Sequence, residues 1–300
     1  MECSELSAER LQARGIKNIL VTRRGTTLFE WHEGGTDRPN YVFSCSKSVL
    51  SALIGILITE KQIASLDDDL GKYVPHAYGQ KVTIRHLLSM SSGIDWRPMV
   101  KGNFDYNRMI KSGEWVSYVL DKRIDPDLYG RFNYCDGNSL LLSAVITGVT
   151  GESAHEFAKK TLFRYLDTGA TSWKEQNGIT LGCTGLHISL GGLSKIGELW
   201  LKGGSFGGKQ IVSDEYVSDS VRTHSAGHPE WFGSYGYHWW VSDREHNSVI
   251  DMYFALGAHG QFLFVVPELE VIAAFRKKPG RRSEMMYPRT ILFELIKRLR

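Results

Sequence analysis

Tyr41-Val-Phe-Ser44-Cys-Ser-Lys47-Ser-Val-Leu-Ser-Ala-Leu-Ile-Gly55-Ile-Leu-Ile-Thr59 is polar at residues 44–48 and almost continuously apolar from there through Ile58. The apolar part lacks proline and is long enough to predict a buried helix, with Gly55 lowering its propensity a little. Ser44 is expected to open that helix, its hydroxyl near unpaired backbone N–H groups. Lys47 follows three positions on, across one turn and on the same face. A serine and an amine fixed this way form a nucleophile and its proton acceptor. The same Ser-x-x-Lys spacing also describes an N-cap serine followed by a surface lysine. The apolar run behind Lys47 favours the first reading and predicts that desolvation lowers its pKa.

The whole chain sets the frame for this segment. Its 300 residues suffice for one large domain or two closely joined lobes. Hydrophobic content of 42% and charged content of 23% fit an ordered soluble protein. A formal charge of +3, without a long basic tract, argues against a nucleic-acid partner. The basic residues at 276–282 and 297–300 read as a solvated end of the chain, with steering of an anionic ligand as the alternative. Cysteines 3, 45, 135 and 183 have neither metal-ligand nor disulfide-rich spacing, and Cys45 and Cys135 read as small buried thiols. The first residues lack the features of a signal peptide, and no run reaches the roughly 18 apolar residues of a membrane span. A cytoplasmic location is the resulting expectation.

Residues 4–14 predict a short helix ended by Gly15, and residues 16–24 and 26–32 a pair of strands around Gly25. After the Ser44 segment, residues 83–90 form a short helix capped by Thr83. Residues 112–120 are helical, Asp125-Pro126 breaks the chain, residues 137–147 form a second buried helix, and a surface helix spans about 153–165. Beyond the glycine-rich stretch 181–192, helices are expected at 193–201 and near 213–220. Strands are expected at 237–241, 252–256, 261–266 and 271–275, with a terminal amphipathic helix at 287–300 packed on the sheet. The stretch 222–236 is rich in histidine, glycine and aromatics without a tight metal-ligand motif. The simplest architecture is an α+β fold: a mixed lobe from residues 1–64 and 181–300, with a helical lobe, residues 65–180, inserted between its parts.

An ordered set of segments then carries a resemblance. Phe43-Ser-Cys-Ser-Lys-Ser48 is followed by Leu66-Asp-Asp-Asp69 with Tyr73-Val-Pro75, and by Thr83-Ile-Arg-His-Leu-Leu-Ser-Met-Ser-Ser-Gly93. Phe132-Asn-Tyr-Cys-Asp-Gly-Asn-Ser-Leu-Leu141, Gly191-Gly-Leu-Ser194 and Gly257-Ala-His-Gly-Gln261 complete it. Over roughly residues 18–276 the chain resembles the serine β-lactamase-like superfamily, in its branch of esterases, D-amino-acid peptidases and 6-aminohexanoate-oligomer hydrolases. The resemblance implies the β-lactamase/transpeptidase-like fold, a central antiparallel sheet flanked by helices plus an inserted all-helical lobe, with the active site between them.

Carried over residue by residue, it implies Ser44 as acylated nucleophile, Lys47 as proton partner and Tyr134 as the second-motif tyrosine. A phenol of reference pKa near 10 acts as a base only beside a cation; Lys47 supplies that field or itself accepts the serine proton, two routes the sequence leaves open. Asp136 stands where asparagine is common; it only accepts hydrogen bonds, favours a charged Lys47 and leaves Tyr134 the better base. The third motif departs further, with Ala258 and His259 before Gly260 and no lysine. Efficient hydrolysis of classical β-lactams is therefore not expected. His259 is a candidate for substrate contact or for tuning the proton network. Gly260 is read as permitting close approach of substrate, or as a tight strand or bulge. The backbone N–H groups of Ser44 and Gln261 are the implied oxyanion donors.

The expected activity is hydrolysis of a small ester or linear amide through a Ser44 acyl-enzyme, without metal or organic cofactor. Trp96, Trp173, Trp231, Trp239 and Trp240 are candidates for an acyl pocket, with ordinary core packing the stronger reading for any one of them. The alternatives are a β-lactamase or D-alanyl-D-alanine-type peptidase, and a catalytically silent binding protein on the same scaffold. The oligomeric state is left open.

Overall fold

The computed structural model describes residues 6–97, 105–228 and 233–300. Cys3 and Trp231 lie outside the described residues. One antiparallel sheet holds eight strands: β1 (Ile16–Arg23), β2 (Thr26–His32), β3 (Ser225–His228), β4 (Gly233–Tyr235), β5 (Trp240–Ser242), β6 (Met252–Gly257), β7 (Gln261–Val266) and β8 (Val271–Lys277). Their spatial order is β3-β4-β5-β6-β7-β8-β1-β2. The early hairpin thus joins the last strand, with Ile19 opposite Phe275.

Strands β6, β7 and β8 are buried at every position. Successive side chains point to opposite faces, so both faces of the sheet centre are covered. Edge strand β2 is half exposed by comparison. Four helices matter for the site and the core: α1 (Ser46–Thr59), α2 (Asp136–Thr150), α3 (Leu190–Leu201) and α4 (Tyr287–Leu299). Helix α1 is buried from Ser46 through Leu57, as an apolar run without a polar face requires. It packs against α2, while α3 covers β7, β8 and β1, and α4 seats Ile291, Leu292, Leu295 and Ile296 against the core near β8.

The region inserted between β2 and β3 is helical, with short antiparallel pairings such as Ser92–Ile94 with Ile124–Tyr129. Pro126 lies in that second strand rather than in a break, because a two-stranded edge tolerates a missing N–H. The expected surface helix at 153–165 contains a π turn, Lys159–Phe163, between Ala154–Ala158 and Arg164–Leu166. Strands β3 and β4 fall in the histidine- and glycine-rich stretch for which no strand was expected. The basic run near the end of the chain is corrected in part. Arg276 and Lys277 are buried, and the Arg276 guanidinium donates to Asp37 at 3.3 Å and to the Arg38 carbonyl at 2.9 Å. No helix among the described residues is long and apolar enough to cross a membrane.

Candidate active site

A tight turn delivers Ser44. The Cys45 N–H donates to the Val42 carbonyl at 3.2 Å, and the Ser46 hydroxyl to the Phe43 carbonyl at 2.6 Å. Phe43 adopts a left-handed φ of 50°, a costly conformation for a bulky residue that surrounding packing must hold. Ser44 occupies the 3-10 turn Phe43–Cys45 ahead of α1, and Cys45 stands at the N-cap without a side-chain bond. The expected capping role of Ser44 is therefore corrected: the turn sets its side chain beside Lys47 and along a cavity.

Lys47, in the first turn of α1, is 1% exposed. Its ammonium donates to Ser44 Oγ at 3.2 Å, to Asp136 Oδ1 at 2.8 Å and to the Cys183 carbonyl at 2.9 Å. The ammonium's donors are thereby all engaged. Burial, the largest single influence, lowers an amine's pKa, but the adjacent Asp136 carboxylate together with Tyr134 and Cys183 outweighs it, and Lys47 is raised well above the ordinary lysine value. The expectation of a lowered Lys47 is corrected by this contact. Asp136 begins α2, where a carboxylate suits the positive end of the helix, and the packing of α1 on α2 brings the two first turns together.

Tyr134 lies two residues before α2. Asn133 anchors its segment: the backbone N–H donates to the Met90 carbonyl at 2.8 Å, and Nδ2 to the Ile94 and Trp96 carbonyls at 3.3 and 3.2 Å. The Tyr134 ring stacks on Trp240 with 6.1 Å between centroids, and the Lys47 ammonium lies 4.7 Å from its centre. Burial raises the phenol's pKa; the Lys47 charge and hydrogen bonds with Ser44 and Lys47 act against this without cancelling it. Ser44, Lys47, Tyr134 and Asp136 thus converge on one point.

The third predicted segment lies differently. A cavity of about 390 Å³ is lined by Ser44, Tyr134, Asp136, Trp240, Leu256 and Gly257, with Ala258, His259, Gly280, Arg281, Arg282 and Met285 completing it. Gly257 ends β6 directly against the serine turn, where a Cβ would stand 2.4 Å from the Val42 carbonyl oxygen. Gly257 therefore lets β6 approach the serine turn closely. Gly260, at φ 89°, turns the chain into β7, and a Cβ there would meet the Met285 carbonyl oxygen at 2.7 Å. Gln261 is buried in β7, outside the lining, with its amide donating to the Lys277 carbonyl at 3.0 Å. The wall residue following the close-approach glycine is Ala258. His259 borders the cavity and packs edge-on against Phe43 at 5.2 Å.

Sequence reasoning missed Gly257 with Ala258, the anchor Asn133 and the Cys183 carbonyl, and it gave the cluster holding the two arginines only as a solvated end of the chain or an anion-steering patch. Two glycines three residues apart in Gly257-Ala-His-Gly260 were the available signal for the first. Among the tryptophans, Trp240 lines the cavity, while Trp96, Trp173 and Trp239 belong to the core. Cys45 and Cys135 are buried free thiols.

A family model described as Beta-lactamase matches residues 8–283. The chain is 25% identical over 293 residues to the 6-aminohexanoate-dimer hydrolase of Paenarthrobacter ureafaciens, covering 88% of this chain and 73% of that protein. It is 30% identical over 141 residues to the teichoic acid D-alanine hydrolase of Staphylococcus aureus strain MRSA252, which is 46% of this chain and 34% of that one. The solved structure of EstCE1, a hydrolase with promiscuous acyltransferase activity, gives a TM-score of 0.79 at 16% identity over 97% of this chain and 96% of that chain. At that identity the likeness is one of fold. These comparisons correct the cytoplasmic expectation, because the teichoic acid hydrolase and the penicillin-binding proteins among the relatives are cell-envelope proteins.

Proposed function

The chain belongs to the beta-lactamase family, and from that premise we propose that it hydrolyses small esters, and more slowly linear amides, through a Ser44 acyl-enzyme. One observation carries the reading: the Lys47 ammonium donates to Ser44 Oγ at 3.2 Å beneath the Tyr134 ring, on the wall of an open cavity. In the ionised form of Tyr134, Ser44 attacks the carbonyl as its proton passes to the phenolate oxygen. The charged Lys47 favours that route, since it stabilises a phenolate and has no vacant lone pair of its own. The backbone N–H groups of Ser44 and Ala258 receive the oxyanion, in place of the Gln261 donor expected from sequence. One such donor is worth roughly 10²–10³ in turnover. The leaving alcohol takes the proton, and water then cleaves the acyl-enzyme by the same route reversed. Esters lead because an alkoxide needs less protonation than an amide nitrogen.

The test is a panel of short acyl esters, linear amides, D-peptides and a chromogenic cephalosporin, compared as kcat/KM with Ser44→Ala as control. Short esters are expected to exceed the cephalosporin. The reverse ranking moves the protein to the β-lactamase or D-peptidase reading. Absence of both turnover and fluorophosphonate acylation in the wild type leaves only a binding role.

A further inference from the structure

The Ser44 and Ala258 N–H groups assigned to the oxyanion each have a strained neighbour. Phe43, directly before Ser44, has φ 50°, and His259, directly after Ala258, has φ 65°. Both lie in the left-handed region that glycine enters freely and bulky residues enter at a cost. The two side chains meet, the His259 imidazole standing edge-on to the Phe43 ring with 5.2 Å between centroids. Closer to the backbone, a Cβ on Gly257 would stand 3.1 Å from the Phe43 Cβ. His259 borders the cavity while Phe43 does not, so substrate contact does not account for the phenyl ring. The ring contacts continue away from the cavity. Phe43 packs on Tyr41 at 4.1 Å between centroids, and Tyr41 stacks on His187 at 5.3 Å. Tyr41 and His187 are opposite one another where Asn40–Tyr41 pairs with Leu186–Ile188. The Tyr41 hydroxyl lies 2.6 Å from Thr184 Oγ1, one residue past the carbonyl of Cys183 that accepts from Lys47. His259, Phe43, Tyr41 and His187 thus form a row of rings joining three segments. Each segment gives the site one backbone group: the Ala258 N–H, the Ser44 N–H and the Cys183 carbonyl.

We propose that Phe43 and His259 are positioning residues whose ring contact fixes the spacing of the Ser44 and Ala258 N–H groups. This rests on the reading of Ser44 as the acylated nucleophile. Glycine at both positions would make the same two turns with less strain. The rings add what glycine lacks, a lateral strut between the turns in an orientation that aromatic pairs favour. Donors to an oxyanion act by already being in place when charge develops. Each strained turn is held by the other, and the strain is the local sign of that mutual constraint. His259 acts in this way through the shape of its ring and not through its charge.

The experiment measures kcat and KM for p-nitrophenyl butyrate in wild type, Phe43→Gly, His259→Gly, the double variant and His259→Phe, with thermal midpoints beside the kinetics. It also measures Ki for phenylboronic acid, whose boron bonds to Ser44 Oγ as the serine proton leaves, giving a tetrahedral anion that mimics the intermediate. In each single glycine variant kcat is expected to fall about tenfold or more, the scale of a small misplacement. KM should change much less, and the boronate Ki should rise as kcat falls. The double variant should be little worse than the poorer single one, because both remove the same contact. His259→Phe should recover most of the kcat lost in His259→Gly, at about pH 6 and about pH 8 alike. If Phe43→Gly folds poorly, His259→Gly with His259→Phe carries the comparison alone, since residue 259 lies on an exposed turn. Unchanged kcat, a loss confined to KM, additive losses, or a His259→Phe variant as poor as His259→Gly overturn the proposal while leaving Ser44 as nucleophile. A wild type that neither turns over the ester nor takes up a fluorophosphonate removes this proposal together with the reading beneath it.

Discussion

The Asp136 carboxylate holds the Lys47 ammonium at 2.8 Å, and this contact, with the other groups around the amine, keeps it charged despite its burial. The same carboxylate also acts against ionisation of the neighbouring Tyr134 phenol. Replacing Asp136 by asparagine removes both effects, and both changes have one sign: each candidate base loses its proton more readily. The rising limb of kcat/KM against pH is therefore expected to move about one unit or more towards neutral in Asp136→Asn. A limb that stays in place, or moves to higher pH, contradicts the assignment of either group as base.

Ser44→Ala and Tyr134→Phe are expected to fail in different ways. The first loses fluorophosphonate labelling altogether, read as the absence of a mass increment. The second keeps the nucleophile and loses its proton route, so labelling persists but slows by about 10²–10⁴-fold. Thermal midpoints near wild type in both variants separate this from unfolding.

Gly257→Ala places a methyl group where the Val42 carbonyl oxygen stands, at 2.4 Å from the new Cβ. Backbone on both sides has to shift, and the shift falls on the turn that carries Ser44. Ester turnover is expected to drop at least about 10²-fold, the scale set by a displaced oxyanion donor. Stability should fall by no more than about 1–3 kcal/mol, the usual cost of overpacking. Denaturant melts beside kcat/KM check the split.

His238 supplies a pH effect on stability. It is buried, its Nδ1 lies 2.9 Å from the Leu88 carbonyl oxygen and its Nε2 lies 2.9 Å from Ser139 Oγ. The carbonyl accepts only, so Nδ1 carries the hydrogen and Nε2 accepts from the serine. Burial, helped by the Lys47 charge, pushes its pKa down to about 3. The unfolded chain binds this proton near pH 6.5 while the folded chain refuses it. Stability is thus intact above pH 6.5 and is lost as pH falls towards 3, with a total on the order of 5 kcal/mol. Urea melts from pH 7 to 4 should show a slope shallower by about one proton in His238→Gln.

The sequence exposed the periodic elements and the convergent polar ones for different reasons. The apolar runs that became α1 and α2 have no competing interpretation at their length. Ser44, Lys47, Tyr134 and Asp136 were legible because ordered motifs carried them. The charge on Lys47 was not, since burial and a carboxylate pull in opposite directions and only their distance decides. Gly257 and Gly260 are interchangeable on paper; only the fold shows that the first packs against the Val42 carbonyl oxygen and the second against that of Met285. Strands β3 and β4 are short and built of serine, glycine and histidine, so their neighbours in the sheet form them rather than any local preference. Arg281 and Arg282 looked like a solvated tail because nothing in a linear run says which cavity a loop will border.

The pairing of β1 with β8 also bears on the order of biosynthesis. A ribosome releases Ser44 and Lys47 long before it makes Gly257, Ala258 and the strand that receives the hairpin. Until those residues arrive, the hydroxyl has no back wall and the hairpin no partner on that side. The cavity beside Ser44 is in this way completed only when the last part of the chain has been made, and prematurely terminated copies never enclose it.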